Sequence, residues 1–206
     1  MTLVSLKKGS ENGFDTARLE LSDGSFLSVK ACYINDYCRG FHAWEPGRDL
    51  SSPEEEALRF AASCYRAEKA GMRLIARAEQ RSWGLTVKLE RRGFDSACVE
   101  AVVSHLAEND FLNDERYSEI WLRNRLSKRT GKPLSPRRLS GMLRNRGINR
   151  DIAVSALQKA LDCEGEWTLL QRFLAKKAPP ETTYSLRTLL RTEGFSPEVL
   201  NRYFEE

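Results

Sequence analysis

Apolar and polar positions follow one grammar three times along this chain. Leu85, Leu89, Gly93 and Phe94 form the first set, Leu139, Leu143, Gly147 and Ile148 the second, and Leu186, Leu190, Gly194 and Phe195 the third. Leucines four apart share one face of a helix. Glycine then takes the left-handed backbone that ends the helix, and the following apolar residue closes the cap. A capping residue comes next each time, Asp95, Asn149 and Ser196, to accept the free amides of another helix. The glycines stand 54 and 47 positions apart, which is room for three short helices per repeat.

The pattern predicts helices over 53–66, 69–80, 83–92, 96–109, 114–128, 136–146, 150–161, 164–177, 183–193 and 197–205. The helix at 136–146 has Ser135 as N-cap and Pro136 in its first turn. The next helix carries a buried stripe of Ile152, Ala153, Ala156 and Leu157. First-helix stripes are expected at Leu74, Ile75 and Ala78, at Tyr117, Ile120 and Trp121, and at Trp167, Leu170 and Leu174, with the aromatics read as core. About fifty residues bury little alone, so the repeats are expected to stack in a curved row with an inner face open to a partner.

Residues 1–50 read differently. Alternation in 17–21 (ARLEL) and 26–30 (FLSVK) around Asp23-Gly24 predicts a β-hairpin, with residues 2–6 as a candidate third strand. A short helix is expected over 33–41, and Pro46-Gly47 marks a boundary. Ser52-Pro53-Glu54-Glu55 is read as a capping box that starts the first long helix. The expected fold is mainly α, with three tandem three-helix repeats after a small N-terminal β-hairpin segment. Its divisions are 1–50, 53–112, 113–162 and 163–206.

Composition narrows the class. The 206 residues are 41% hydrophobic and 30% charged, and no apolar run approaches the roughly 20 residues of a membrane helix. The N-terminus lacks the order of a signal peptide, so a cytoplasmic chain without membrane attachment is expected. Five cysteines never occur as C-x-x-C and are expected to be reduced thiols. The two histidines, His42 and His105, have no partner at ligand spacing, so no metal or cofactor is expected.

Charge changes the picture most. Between Glu119 and Asp151 there is no acidic residue, whereas Arg123, Arg125, Lys128, Arg129, Lys132, Arg137, Arg138, Arg144, Arg146 and Arg150 are basic, against a net charge of only +4. Solvated helix ends account for some of these, such as Arg144 and Arg146 before Gly147. Ten without one carboxylate point instead to an anionic partner, either nucleic-acid phosphate or an acidic protein surface. All but Arg150 are candidate contact residues. No phosphate loop, metal-protease motif or nucleophile elbow occurs, and no catalytic residue is assigned.

These residues carry a resemblance. Residues 75–82 (IARAEQRS) with Leu85, Lys88, Leu89 and residues 92–95 (RGFD) resemble the first repeat of the RecX family of recombination regulators. Residues 113–117 (NDERY), Arg123, Arg125, residues 136–139 (PRRL) and residues 143–147 (LRNRG) resemble its second repeat. Gly194, Phe195 and Ser196 agree with the third. The likeness spans about residues 53–206, and the hairpin segment is similar to the extension of longer members. Two departures are the 128–135 loop, a few residues long for the family, and Trp83-Gly84, where glycine is expected to delay the start of a helix.

The resemblance implies a non-enzymatic, monomeric modulator lying in the groove of the RecA filament on single-stranded DNA. It would change filament growth, ATP hydrolysis and coprotease activity, with inhibition the expected sign and direct contact to the single strand a further expectation. It transfers no individual site residue, so the basic positions stand on charge alone. Two alternatives remain: a sequence-tolerant DNA-binding helical protein acting without RecA, and a structural adaptor with no salt-sensitive partner.

Overall fold

The computed structural model describes residues 1–11, 13–35, 38, 40–128, 134–177, 180 and 182–205, without the side chains of His42 and Cys163. The chain forms two compact bodies, Met1–Leu112 and Asn113–Glu206. It is mainly helical, with one three-stranded antiparallel sheet.

The N-terminal body opens with β1 (Leu3–Glu11), β2 (Phe14–Leu21) and β3 (Phe26–Lys30), ordered β1-β2-β3. The hairpin forms as expected: Gly24 sits at φ 82° and donates to the Leu21 carbonyl at 2.9 Å. Alternation buries Ala17, Leu19 and Leu21 on one face of β2, with Leu3 and Val29 from its neighbours. β1 extends well past residue 6, pairing Glu11 with Phe14 around a turn that contains Gly13 at φ 76°. Asn12-Gly13 was the signal for that turn. The short helix expected at 33–41 falls partly outside the described residues. Single 3-10 turns occupy Ala31–Tyr33 and Phe41–Ala43.

The two helices expected at 53–66 and 69–80 are one, α1 (Ser52–Ile75). Nothing in 66–70 breaks a helix, and Ala67, Glu68, Lys69 and Ala70 all favour it. Its N-cap is Ser51, one residue earlier than read, and Glu54 accepts from the Ser51 amide and hydroxyl at 2.8 and 2.9 Å. Ala78 lies exposed beyond the helix end and is no part of a stripe. Gly71 faces Leu85 and Leu106, so α2 (Ser82–Glu90) and α3 (Ser96–Glu108) approach α1 closely. Gly84 does not delay α2, which begins at Ser82; the Arg81 side chain lies over it, 2.9 Å from where a Cβ would stand.

The C-terminal body holds α4 (Asp114–Ser127), α5 (Pro136–Arg144), α6 (Arg150–Ala160), α7 (Cys163–Lys176), α8 (Thr183–Thr192) and α9 (Pro197–Glu205). Its core joins Leu122, Leu139, Leu143, Ala153, Leu170, Leu190 and Val199. The α4 stripe differs from the expected one. Ser118 and Leu122 face fully inward, Trp121 is half-buried and Ile120 is 40% exposed.

The glycine caps form in the expected conformation. Gly93, Gly147 and Gly194 lie at φ 85°, 79° and 87°. Phe94, Ile148 and Phe195 donate back to Leu89, Leu143 and Leu190 at 3.4, 3.2 and 3.2 Å, the six-to-one bond of a Schellman turn. Asp95 and Asn149 then cap α3 and α6 by accepting from Ala97 and Asp151.

Candidate partner-binding face

Helical spacing places Trp121, Asn124 and Arg125 on one face of α4, at i, i+3 and i+4, and Lys128 follows at i+7 as the extended C-cap residue. On α5, Leu139 and Leu143 are fully buried, which turns Arg138, Gly141, Met142 and Asn145 the other way, with Arg146 continuing their row. These two faces meet in a cleft of about 420 Å³ lined by Trp121, Asn124, Arg125, Lys128, Met142 and Arg146. Among the described residues, no carboxylate lines it.

Arg146 is held in place rather than free. Its guanidinium stacks 4.5 Å from the Trp121 ring centroid and donates to the Met142 carbonyl at 2.8 Å. Such stacking fixes a planar cation with its charge still available to a ligand. Arg125 Nε is buried and donates to no group among the described residues. A buried donor without a partner loses roughly 1–3 kcal/mol of solvation.

A second cleft of about 720 Å³ shares Met142 and is lined by Arg137, Arg138, Gly141, Asn145, Phe173, Lys177 and Glu193. Arg137 is exposed, but its guanidinium donates to the Thr192 carbonyl at 3.3 Å and its amide to the Glu193 carbonyl at 2.9 Å. Part of its role is therefore structural.

The basic run thus divides. Arg125, Lys128 and Arg146 gather around Trp121, and Arg137 and Arg138 line the neighbouring cleft. Arg123 lies apart from them, beside Glu119, Leu126 and Lys159. Arg144 is exposed at the end of α5 and lines neither cleft. Arg129 and Lys132, with most of the long 128–135 loop, lie outside the described residues. Trp121 and Asn124 were missed from sequence. Their spacing from Arg125 and Lys128 was the signal, and the tryptophan was read as core alone.

The N-terminal body corrects the reading of His105. Cys32, Glu68 and His105 come together with their ligand-type atoms within 4.8 Å of one another. The buried Lys30 ammonium is already among them, 2.6 Å from Glu68 Oε1, 3.4 Å from His105 Nε2 and 4.6 Å from the Phe14 ring centroid. The group is a built-in ion pair with its own cation. Burial and the Lys30 charge together hold the His105 pKa below the usual imidazole range. Burial also pushes the Cys32 thiol up to about 11, so it stays a protonated, weak nucleophile near neutral pH. Among the described residues, no helix is long and apolar enough to cross a membrane.

No protein-family model matches the chain. Individual proteins do. Regulatory protein RecX of Treponema pallidum (strain Nichols) is 36% identical over 147 residues, spanning 71% of this chain and 88% of its own. Regulatory protein RecX of Halorhodospira halophila is 30% identical over 136 residues, spanning 63% and 80%. Among solved structures, a crystal structure of regulatory protein RecX superposes with a TM-score of 0.63 at 19% identity, covering 100% of this chain and 99% of that one. RecX from Lactobacillus salivarius gives 0.52 at 18% identity, covering 70% and 96%. The structures establish a shared fold, and the identity over most of the treponemal protein's length establishes kinship: this chain belongs to the RecX family of regulatory proteins.

Proposed function

We propose that this protein binds the RecA recombinase filament on single-stranded DNA, without catalysis of its own, and lowers its ATPase, strand-exchange and coprotease activities. One observation carries the assignment of the contact face: the cleft that Arg125, Lys128 and Arg146 line together with Trp121, with no carboxylate in its lining among the described residues. A filament on DNA offers what such a cleft suits, phosphate and acidic protein surface. The three glycine-capped segments would act as repeats, letting one chain engage more than one recombinase subunit and gain avidity through effective concentration.

The test is RecA on single-stranded DNA with substoichiometric amounts of this protein, read by ATP hydrolysis and electron microscopy. Filaments decorated with extra density and hydrolysing more slowly are the expected result. Unaltered filaments together with tight binding to bare DNA would transfer the assignment to a DNA-binding protein that acts without RecA.

A further inference from the structure

We infer that the α4–α5 cleft is a nucleotide-binding subsite for single-stranded nucleic acid, in which a backbone phosphate meets Arg125 and Lys128 and a base joins the Trp121–Arg146 stack. This inference rests on the reading of that cleft as the binding face and names its ligand.

Three features select this ligand. The volume of about 420 Å³ lies within the range of roughly 300–1,000 Å³ typical of small-ligand clefts and suits one nucleotide better than a folded surface. The cations are unequal: Arg125 Nε is buried with no partner among the described residues, whereas Arg146 is already anchored on the Met142 carbonyl with its guanidinium carbon 4.5 Å from the Trp121 ring centroid. An acidic peptide would use the charge and leave the stacked planes idle. A nucleotide uses both, because every base has a π-face that packs on an aromatic ring or a guanidinium plane. Asn124, exposed at the rim, offers an amide donor and acceptor to whatever base enters. Selectivity among bases should be weak, since stacking rather than edge reading holds them.

The experiment uses the full chain alone, without recombinase, and three probes of about 15 units, a length that fills a typical single-strand site. They are a thymidine homopolymer, an abasic phosphodiester of equal charge and a glutamate homopolymer, compared by fluorescence anisotropy. The thymidine strand is expected to bind about tenfold tighter than the abasic strand, the size of one base-stacking contact. Trp121→Leu, which keeps apolar bulk, should bring the thymidine strand to the abasic level, and Arg125→Ala should weaken both strands. Equal affinity for thymidine and abasic strands would overturn the inference by leaving only charge, as would glutamate polymer bound as tightly as the thymidine strand. The wild-type comparison needs no variant, so a misfolded Trp121→Leu protein does not prevent the decision. RecA hydrolysis is read separately. A filament effect without base preference removes the nucleotide subsite alone; base preference without a filament effect removes the RecA assignment alone.

Discussion

The Ser135 hydroxyl donates to Glu193 Oε2 at 2.6 Å, joining the N-cap of α5 to the C-cap of α8 across 58 positions. The same serine oxygen accepts from the Arg138 amide at 3.3 Å, and Gly194 leaves 3.3 Å between a would-be Cβ and the Arg137 amide. The start of the basic helix is thus seated against the third glycine turn.

Ser135→Ala removes an N-cap and leaves the Glu193 carboxylate short of a donor. A loss of about 1–2 kcal/mol is expected in urea unfolding, the size of a missing cap. Gly194→Ala adds a side chain at φ 87° against a backbone amide. It should cost at least about 1–2 kcal/mol. Gly141→Ala, which meets nothing within 4 Å in the middle of α5, should be neutral or stabilising by up to about 1 kcal/mol.

Basic positions should differ by place rather than by charge. Arg125→Ala with Arg146→Ala should weaken filament binding at least about tenfold and lower the salt slope by roughly one for each phosphate that the variant no longer neutralises. Arg144→Ala, outside both clefts, should stay within about twofold. Binding titrations at three salt concentrations separate the two outcomes.

The Lys30–Glu68 pair is nearly fully buried, with side chains 1% and 6% exposed. Removing one partner strands a charge in the interior. Glu68→Ala is expected to cost about 3–5 kcal/mol, and Lys30→Met with Glu68→Leu should recover most of it. Chemical denaturation of the single and double variants measures this.

His105 makes stability depend on pH with a definite sign. Its folded pKa lies below the ordinary value of 6.5, so below about pH 6.5 the unfolded chain binds a proton that the folded chain resists. Stability is lost as pH falls from 6.5 towards the lowered folded pKa, and His105 contributes no slope above neutrality. Thermal melts across that window should show the loss in wild type and a flatter profile in His105→Asn.

Much of this was legible from residues close in sequence. Leu139, Leu143 and Gly147 announced a buried face and a left-handed cap because both depend on helical spacing and one backbone angle. Asp23-Gly24 announced its hairpin for the same reason. Continuity of α1 was harder to read, since the absence of a breaker at 66–70 is a weaker signal than a glycine or proline. The Lys30, Glu68 and His105 cluster had no sequence signal at all: a strand end and two helices bring it together only when the sheet packs. Trp121 lay between these cases. Its position relative to Arg125 was visible, but which side of α4 faced the core was set by Leu122 and the rest of the body.

The most direct test of the binding face is the rate of RecA ATP hydrolysis on single-stranded DNA, titrated with wild-type protein and with a variant carrying Arg125→Ala, Lys128→Ala and Arg146→Ala. If the cleft binds the filament, wild type slows hydrolysis below one protein per recombinase subunit and the variant needs at least about tenfold more, while melting within a few degrees of wild type. A folded variant that inhibits as well as wild type would contradict the assignment.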